Sequence, residues 1–356
     1  MRFFANLFWN SRQGRVRAFW RLSVQLVLLL VIMLPLQVGL GLAALVLFLA
    51  QQGIAADQLS DPQVWQAVLE PSGLQRFLLE SPRLMLVFSL GALAACLASV
   101  WLAGRFLDRR PLADFGLHFK RSWWLDFGFG LGLGAFLMLA IFLVELAAGW
   151  VTVSGAWVTR NPAVPFPLAI LPPLVTFLAV GFYEELFSRG YQLRNLAEGL
   201  NWPAWGPRGT LALATLLSSA IFGLLHIFNP HASFVSSFNI FVVGALLLAL
   251  GYLLTGELAI PIGVHITWNF FQGNVFGFPV SGGDFRSATL LSIRQSGPEL
   301  WTGGAFGPEA GLLGLGAALL GSLLVVGWVR WRYGRVALHT ALVEAPQHSR
   351  SKSTSS

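Results

Sequence analysis

The sequence predicts an all-α, polytopic transmembrane helix bundle of about eight spans. Three observations carry that expectation. Charged residues make up 11% of the 356-residue chain and hydrophobic ones 55%, which leaves too few charges to cover a water-facing surface. Mean hydropathy is +0.67. The apolar runs are long and continuous, whereas lipid admits only helices or closed barrels, and barrel strands need only about ten residues. The same composition excludes disorder, a basic nucleic-acid-binding domain and an ordinary water-soluble enzyme.

A helix rises about 1.5 Å per residue, so about 20 apolar residues cross the roughly 30 Å hydrocarbon core. Candidate spans lie near 22–50, 84–104, 127–149, 165–187, 210–229, 235–255, 259–278 and 310–329. The first follows Arg2, Arg12, Arg15, Arg17 and Arg21 and holds no charge. It exceeds a signal-peptide core in length, so it reads as a retained anchor, long enough to tilt or to bend at Pro35. The segment 51–83 contains Ser60-Asp61-Pro62-Gln63, which resembles a capping box opening a short surface helix. The second span carries Cys96, the single cysteine; it excludes an intrachain disulfide or a CxxC knuckle and reads as a small core residue. Lys120, Arg121, Trp123 and Trp124 suit the headgroup level before the third span. That span carries two glycine pairs, Gly128/Gly132 and Gly130/Gly134, which read as close helix-packing faces.

The net charge of +7 sorts onto alternate loops. Arg and Lys concentrate before the first span, between the second and third (Arg105, Arg109, Arg110), after the fourth (Arg194, Arg208) and after the eighth (Arg330, Arg332, Arg335). Segments 51–83, 150–164 and 279–309 carry fewer cations. Both termini are therefore expected in the cytoplasm, in a multi-pass protein of a prokaryotic plasma membrane. The chain divides into three parts. Residues 1–164 form an N-terminal arm with three helices and an outer loop, and 165–278 form a core. Residues 279–356 add an outer loop, the last helix and a tail, disordered from Gln347 to Ser356. No nucleic-acid partner is expected; the partners are the bilayer and a membrane-associated protein or peptide.

Ionisable groups inside membrane spans are costly and mark candidate sites. Three clusters qualify. In Glu184-Glu185-Leu186-Phe187-Ser188-Arg189, Glu185 and Arg189 share a helical face and can pair, while Glu184 is rotated about 100° away. This leaves Glu184 free as a general base; the alternative is an ordinary helix end meeting water. Phe222 and His226 share a face, with the ring restricting the imidazole, against the alternative of a packing histidine. His265 and Asn269 project together as an oxyanion donor pair or an oriented metal ligand; the alternative is an interhelical polar clasp. Base, polariser and oxyanion donor on three helices are what amide hydrolysis by activated water needs. HExxH, GxSxG and paired intramembrane aspartates are absent from the sequence.

EExxxR (Glu184, Glu185, Arg189), FxxxH (Phe222, His226) and HxxxN (His265, Asn269), in this order, resemble the CAAX prenyl protease and bacteriocin-processing (CPBP, or Abi) family of intramembrane endopeptidases. The likeness covers roughly 165–275; Ala259-Ile260 depart from it where a Trp is expected before Pro261. The resemblance implies an eight-helix peptidase cutting near the C-terminus of a membrane-bound substrate. Glu184 and His226 would activate water, and His265 and Asn269 would stabilise the oxyanion, with Glu185, Arg189 and Phe222 in support. Where a metal such as Zn²⁺ is bound, Glu184, His226 and His265 would hold it, with a fourth position left for water. Two other readings compete: a non-catalytic scaffold or bacteriocin-immunity protein using the motifs as clasps, and an ion-coupled transporter using Glu145, Glu184 and Glu185. One difficulty stands. If the fourth span ends at Glu184 on the inner face, His226, some 24 Å along the fifth, lies too far away to meet it.

Overall fold

The computed structural model describes residues 7–11, 13–69, 74, 77 and 81–346; the predicted disordered tail, Arg2 and Arg12 lie outside the described residues. Among these, seven helices are long and apolar enough to cross a membrane. Helix α1 (Ala18–Gln51) is the N-terminal anchor and carries Pro35 inside it. The short helix α2 (Pro62–Leu69) begins one residue later than the capping box suggests. Asp61 Oδ1 accepts from Gln63 N at 2.8 Å, while the Ser60 hydroxyl donates to Asp57 O. An Asp before Pro closes its own turn, so Ser60 is not needed.

The transmembrane bundle continues with α3 (Pro82–Ala103), capped by Ser81, and α4 (Arg121–Ala147). Next, α5 (Leu171–Glu185) runs through a π-helical segment (Leu186–Leu193) into α6 (Arg194–Gly199). Together they form a single span, Phe166–Gly199. The fourth helix therefore does not end at Glu184; the chain continues past it, and the depth conflict with His226 disappears. Helices α7 (Gly206–Leu225) and α8 (Phe234–Val243) follow, the latter prolonged by a π turn and α9 (Ala249–Thr255). Helix α10 (Ala259–Phe270) is shorter, and every residue from Ala259 to Ile266 is buried. It packs chiefly against α4 and α5, so the expected seventh span is a helix enclosed by the others. Helix α11 (Leu312–Tyr333) completes the set.

Glycines explain how α10 sits so deep. A Cβ on Gly130 would lie 2.5 Å from Ile260 O, and one on Gly263 would lie 2.5 Å from Phe127 O. Gly134 likewise touches Val264 and Thr267. Only Gly130/Gly134 make a packing face; a Cβ on Gly128 or Gly132 meets nothing within 4 Å, which corrects the two-pair reading. Ile260, in the position where a Trp was expected, is fully buried against Gly251.

Two segments expected as loops pair instead. Strand β1 (Val151–Thr159) runs antiparallel to β2 (Ala288–Gln295), from Val151↔Gln295 to Thr159↔Ala288, with a bulge at Val153/Gly155. The β-branched residues Val151, Thr152, Val153, Val158 and Thr159 favour it, but the partner strand is too distant in sequence to be foreseen. Glu145, which the transporter reading uses, is buried and accepts from Gln295 Nε2 at 2.7 Å.

At the opposite end, several arginines read as orienting loop charges are interior. Arg15 and Arg21 are each 1% exposed. Glu198 receives Arg15 at 2.6 Å, Arg110 at 2.8 Å and Arg21 at 3.0 Å, and Arg21 also holds Asp108 at 2.7 Å. The arm is thus fastened by a buried ion network. Trp123, expected at the headgroups, is buried with its indole N–H donating to Gly116 O, while Trp124 is exposed.

Candidate active site

Three helices bring the motif residues together. At Gly181, one turn before Glu185, a Cβ would lie 2.7 Å from Ile266 Cγ1 and 3.0 Å from Ile266 N. This contact draws α10 onto α5 and sets His265 beside both glutamates. His265 Nδ1 lies 2.8 Å from Glu185 Oε1, and Nε2 lies 3.8 Å from Glu184 Oε2.

The two adjacent carboxylates differ in environment as their helical offset implies. The Glu185 side chain is fully buried, and its Oε1 also accepts from Arg189 Nη1 at 2.8 Å. Arg189 lies in the π-helical segment following α5, with its guanidinium carbon 4.4 Å from the centre of the Phe222 ring. A Cβ on Gly244 would lie 2.7 Å from Arg189 Nη2, so this glycine makes room for the guanidinium. The Glu184 side chain is 23% exposed, and its Oε2 has no hydrogen-bond partner among the described residues. Glu185 Oε2 also lacks a partner, so the two differ in burial and in Oε1: Glu185 is buried and doubly engaged, whereas Glu184 is partly exposed, beside Tyr183 and His265.

His226 closes α7. Its Nδ1 is 2.7 Å from Phe222 O, a carbonyl that can only accept, so Nδ1–H donates there and leaves Nε2 facing the site. Its ring lies 4.7 Å from that of Phe222, and Phe222 stands edge-on to His265 at 6.4 Å. Phe222 is therefore a partition touching both histidines and Arg189.

Two cavities meet here. A chamber of about 320 Å³ runs from Leu29, Met33 and Cys96 to Glu184, Phe187 and His226. Its outer wall is apolar and its inner end carries the acid. Cys96 is buried as expected, but it also forms part of this wall. On the other side of Phe222, a cavity of about 40 Å³ is bounded by His226, His265, Trp268 and Asn269. Asn269 shares this space with both histidines.

The second cavity also contains residues the motifs do not include, Ser281 and Glu309. Glu309 Oε1 accepts from Ser281 N at 2.5 Å, and Oε2 accepts from Gln272 Nε2. Gln272 extends the face of His265 and Asn269 by three residues, a signal available in the sequence. Glu309 comes from a distant loop and gave none. Burial raises the Glu309 carboxyl to about 7, although the hydrogen bonds from Ser281 and Gln272 pull it down.

No group of three or more His, Cys, Asp or Glu side chains among the described residues is gathered as a metal site. Glu184 and His265 approach each other, but His226 does not complete a donor set with them. The arrangement therefore does not fit the Glu/His/His metal centre that the resemblance implies.

Residues 166–271 match the Rce1-like family, described as type II CAAX prenyl endopeptidases. No curated protein and no solved structure matches the chain. The matched segment contains α5, the π-helical segment, α7 and α10, and these carry all three motifs. This segment is therefore similar to the CAAX-type proteases, and it is carried in an integral multi-pass membrane protein.

Proposed function

We propose that the protein is an intramembrane endopeptidase that hydrolyses a peptide bond near the C-terminus of a membrane-associated protein or peptide. The observation that carries this reading is the split between the glutamates: Glu185 buried and tied to Arg189 and His265, Glu184 partly exposed and facing a chamber. Glu184, aided by the His226 lone pair, takes a proton from water as the oxygen attacks the scissile carbonyl carbon. His265 Nε2 and Asn269 Nδ2 donate to the developing oxyanion. For this, His265 carries both ring protons, one held by Glu185. The proton returns from Glu184 to the leaving nitrogen as the C–N bond breaks, giving a carboxylic acid and an amine, which exchange a proton to become carboxylate and ammonium.

The site lies towards the end of the bundle away from the ion network. Helix α7 starts near Leu200, where Asn201 donates to Val343 O, and ends near Ser281, whose carbonyl accepts from Asn229. With the Arg-rich termini in the cytoplasm of a prokaryotic cell, the substrate is reached from the outer half of the membrane. The test is cleavage of a tethered C-terminal peptide reporter in membranes. Glu184→Ala and His265→Ala are each expected to lower the rate about 10²- to 10⁴-fold; undiminished cleavage in both removes the proposal.

A further inference from the structure

A larger cavity, about 550 Å³, lies outside the site, among the loops that follow α7 and α10. Its chemistry is opposite to that of the apolar chamber. His231, Asp284, Arg286 and Arg294 contribute to its walls, with glycines between them. Arg160 holds Asp284 at 2.9 Å and Arg286 holds it at 2.8 Å. Burial raises the Asp284 carboxyl, but Arg286 and Arg160 outweigh it and keep the group below its ordinary range, so it is an anion already matched by two cations. The side chain of Arg294, on β2, is exposed and makes no hydrogen bond or ion pair with any described residue. The cavity therefore has an excess of positive charge, with one guanidinium uncommitted.

A single turn separates this cavity from the candidate active site. Val280 and Gly283 bridge each other's backbones; between them Ser281 faces the histidines and Gly282 faces the cationic cavity. The turn is held in place. Ser281 O accepts from Asn229 at 3.0 Å, and Gly282 N donates to Phe306 O at 2.7 Å. Gly282 has φ +78°, and a Cβ there would collide with Pro230 O, so only glycine fits.

We infer that this cavity receives the C-terminal carboxylate of the peptide being cut. This deepens the proposed function and rests on it. Planar guanidinium groups suit a carboxylate, and Asp284 in the wall disfavours a more highly charged phosphate. The sequence of surfaces also fits such a substrate. An apolar chamber takes the membrane-embedded part, the acid and histidines act on the bond between, and a cationic pocket takes the short polar end.

The experiment uses the purified full chain and two reporters identical except for a free C-terminal carboxylate or a carboxamide. Wild type is expected to favour the carboxylate about tenfold to a hundredfold in kcat/KM, the range of a charge-assisted hydrogen bond. Arg294→Gln is expected to bring the ratio near one, and Arg294→Lys to retain part of it. A structural role for Arg294 would lower both rates together and leave the ratio, which overturns the inference. Equal cutting of both reporters by wild type also overturns it while leaving the peptidase reading intact; cutting of neither removes both. Reconstitution with and without phosphatidylglycerol separates the other anion source. If Arg294→Gln acts only in vesicles containing that lipid and the terminus preference persists, the cavity holds a headgroup and the inference fails.

Discussion

Replacing the adjacent glutamates one at a time by glutamine should give opposite results. Glu185→Gln keeps the shape but removes the charge that Arg189 and His265 share, each at 2.8 Å. Arg189 is 1% exposed, so its cation cannot turn to water. Removing one partner of a buried pair costs about 3–5 kcal/mol, and the contact with Phe222, already present in wild type, does not offset it. A loss of about 3–5 kcal/mol is expected. Activity also falls, because His265 loses the carboxylate that fixes its Nδ1 proton. Glu184→Gln removes a charge that has no hydrogen-bond partner at Oε2 and is 23% exposed. Its stability should stay within about 0.5 kcal/mol of wild type, while cleavage falls about 10²- to 10⁴-fold. The assay pairs denaturant unfolding in detergent, followed by tryptophan fluorescence, with reporter cleavage. If Glu184→Gln unfolds more readily than Glu185→Gln, or keeps wild-type activity, the division of roles is wrong.

Three further outcomes follow from the same geometry. The folded chain holds the Glu309 proton up to about 7 against an ordinary 4.5, so folding favours the protonated form. Stability should fall by about 3 kcal/mol as pH rises from about 4.5 to 7, then level off; Glu309→Gln should flatten this profile in melting curves taken across that range. Glu198→Ala leaves Arg15, Arg21 and Arg110 without the carboxylate they share and should cost about 3–5 kcal/mol in denaturant unfolding, against wild-type stability for a solvent-facing control such as Glu299→Ala. Gly130→Ala forces α4 from α10 and should lower the melting temperature, whereas Gly128→Ala, with nothing within 4 Å, should leave it unchanged or raise it, worth up to about 1 kcal/mol.

Local relations were legible in the sequence, and relations between distant segments were not. The Glu185–Arg189 pair follows from a spacing of four on one helix, and so does the contact between Phe222 and His226. The bundle itself follows from apolar run length. His265 on Glu185 joins two helices, and no periodicity within either predicts it; the motif set could only suggest that they meet. The contact depends on Gly181, a small residue whose meaning appears only when the opposing helix is known. The ribbon of β1 and β2 was missed for the same reason, since its two strands lie on either side of the core segment.

The arginines make the same distinction in energetic terms. Positive charge at the ends of spans was read as a guide to orientation, and that reading treats all such residues alike. Burial divides them. Arg15, Arg21, Arg110 and Arg189 each face a carboxylate away from water, where an unpaired charge is far more costly than at the surface. Arg294 stays exposed and uncommitted beside a cavity. In a chain with so few charges, a buried cation needs its own anion within the fold. A cation left without one beside a cavity is free to take its anion from a ligand, which is why Arg294, and not the better-paired arginines, is the one to mutate when looking for the substrate's charged end.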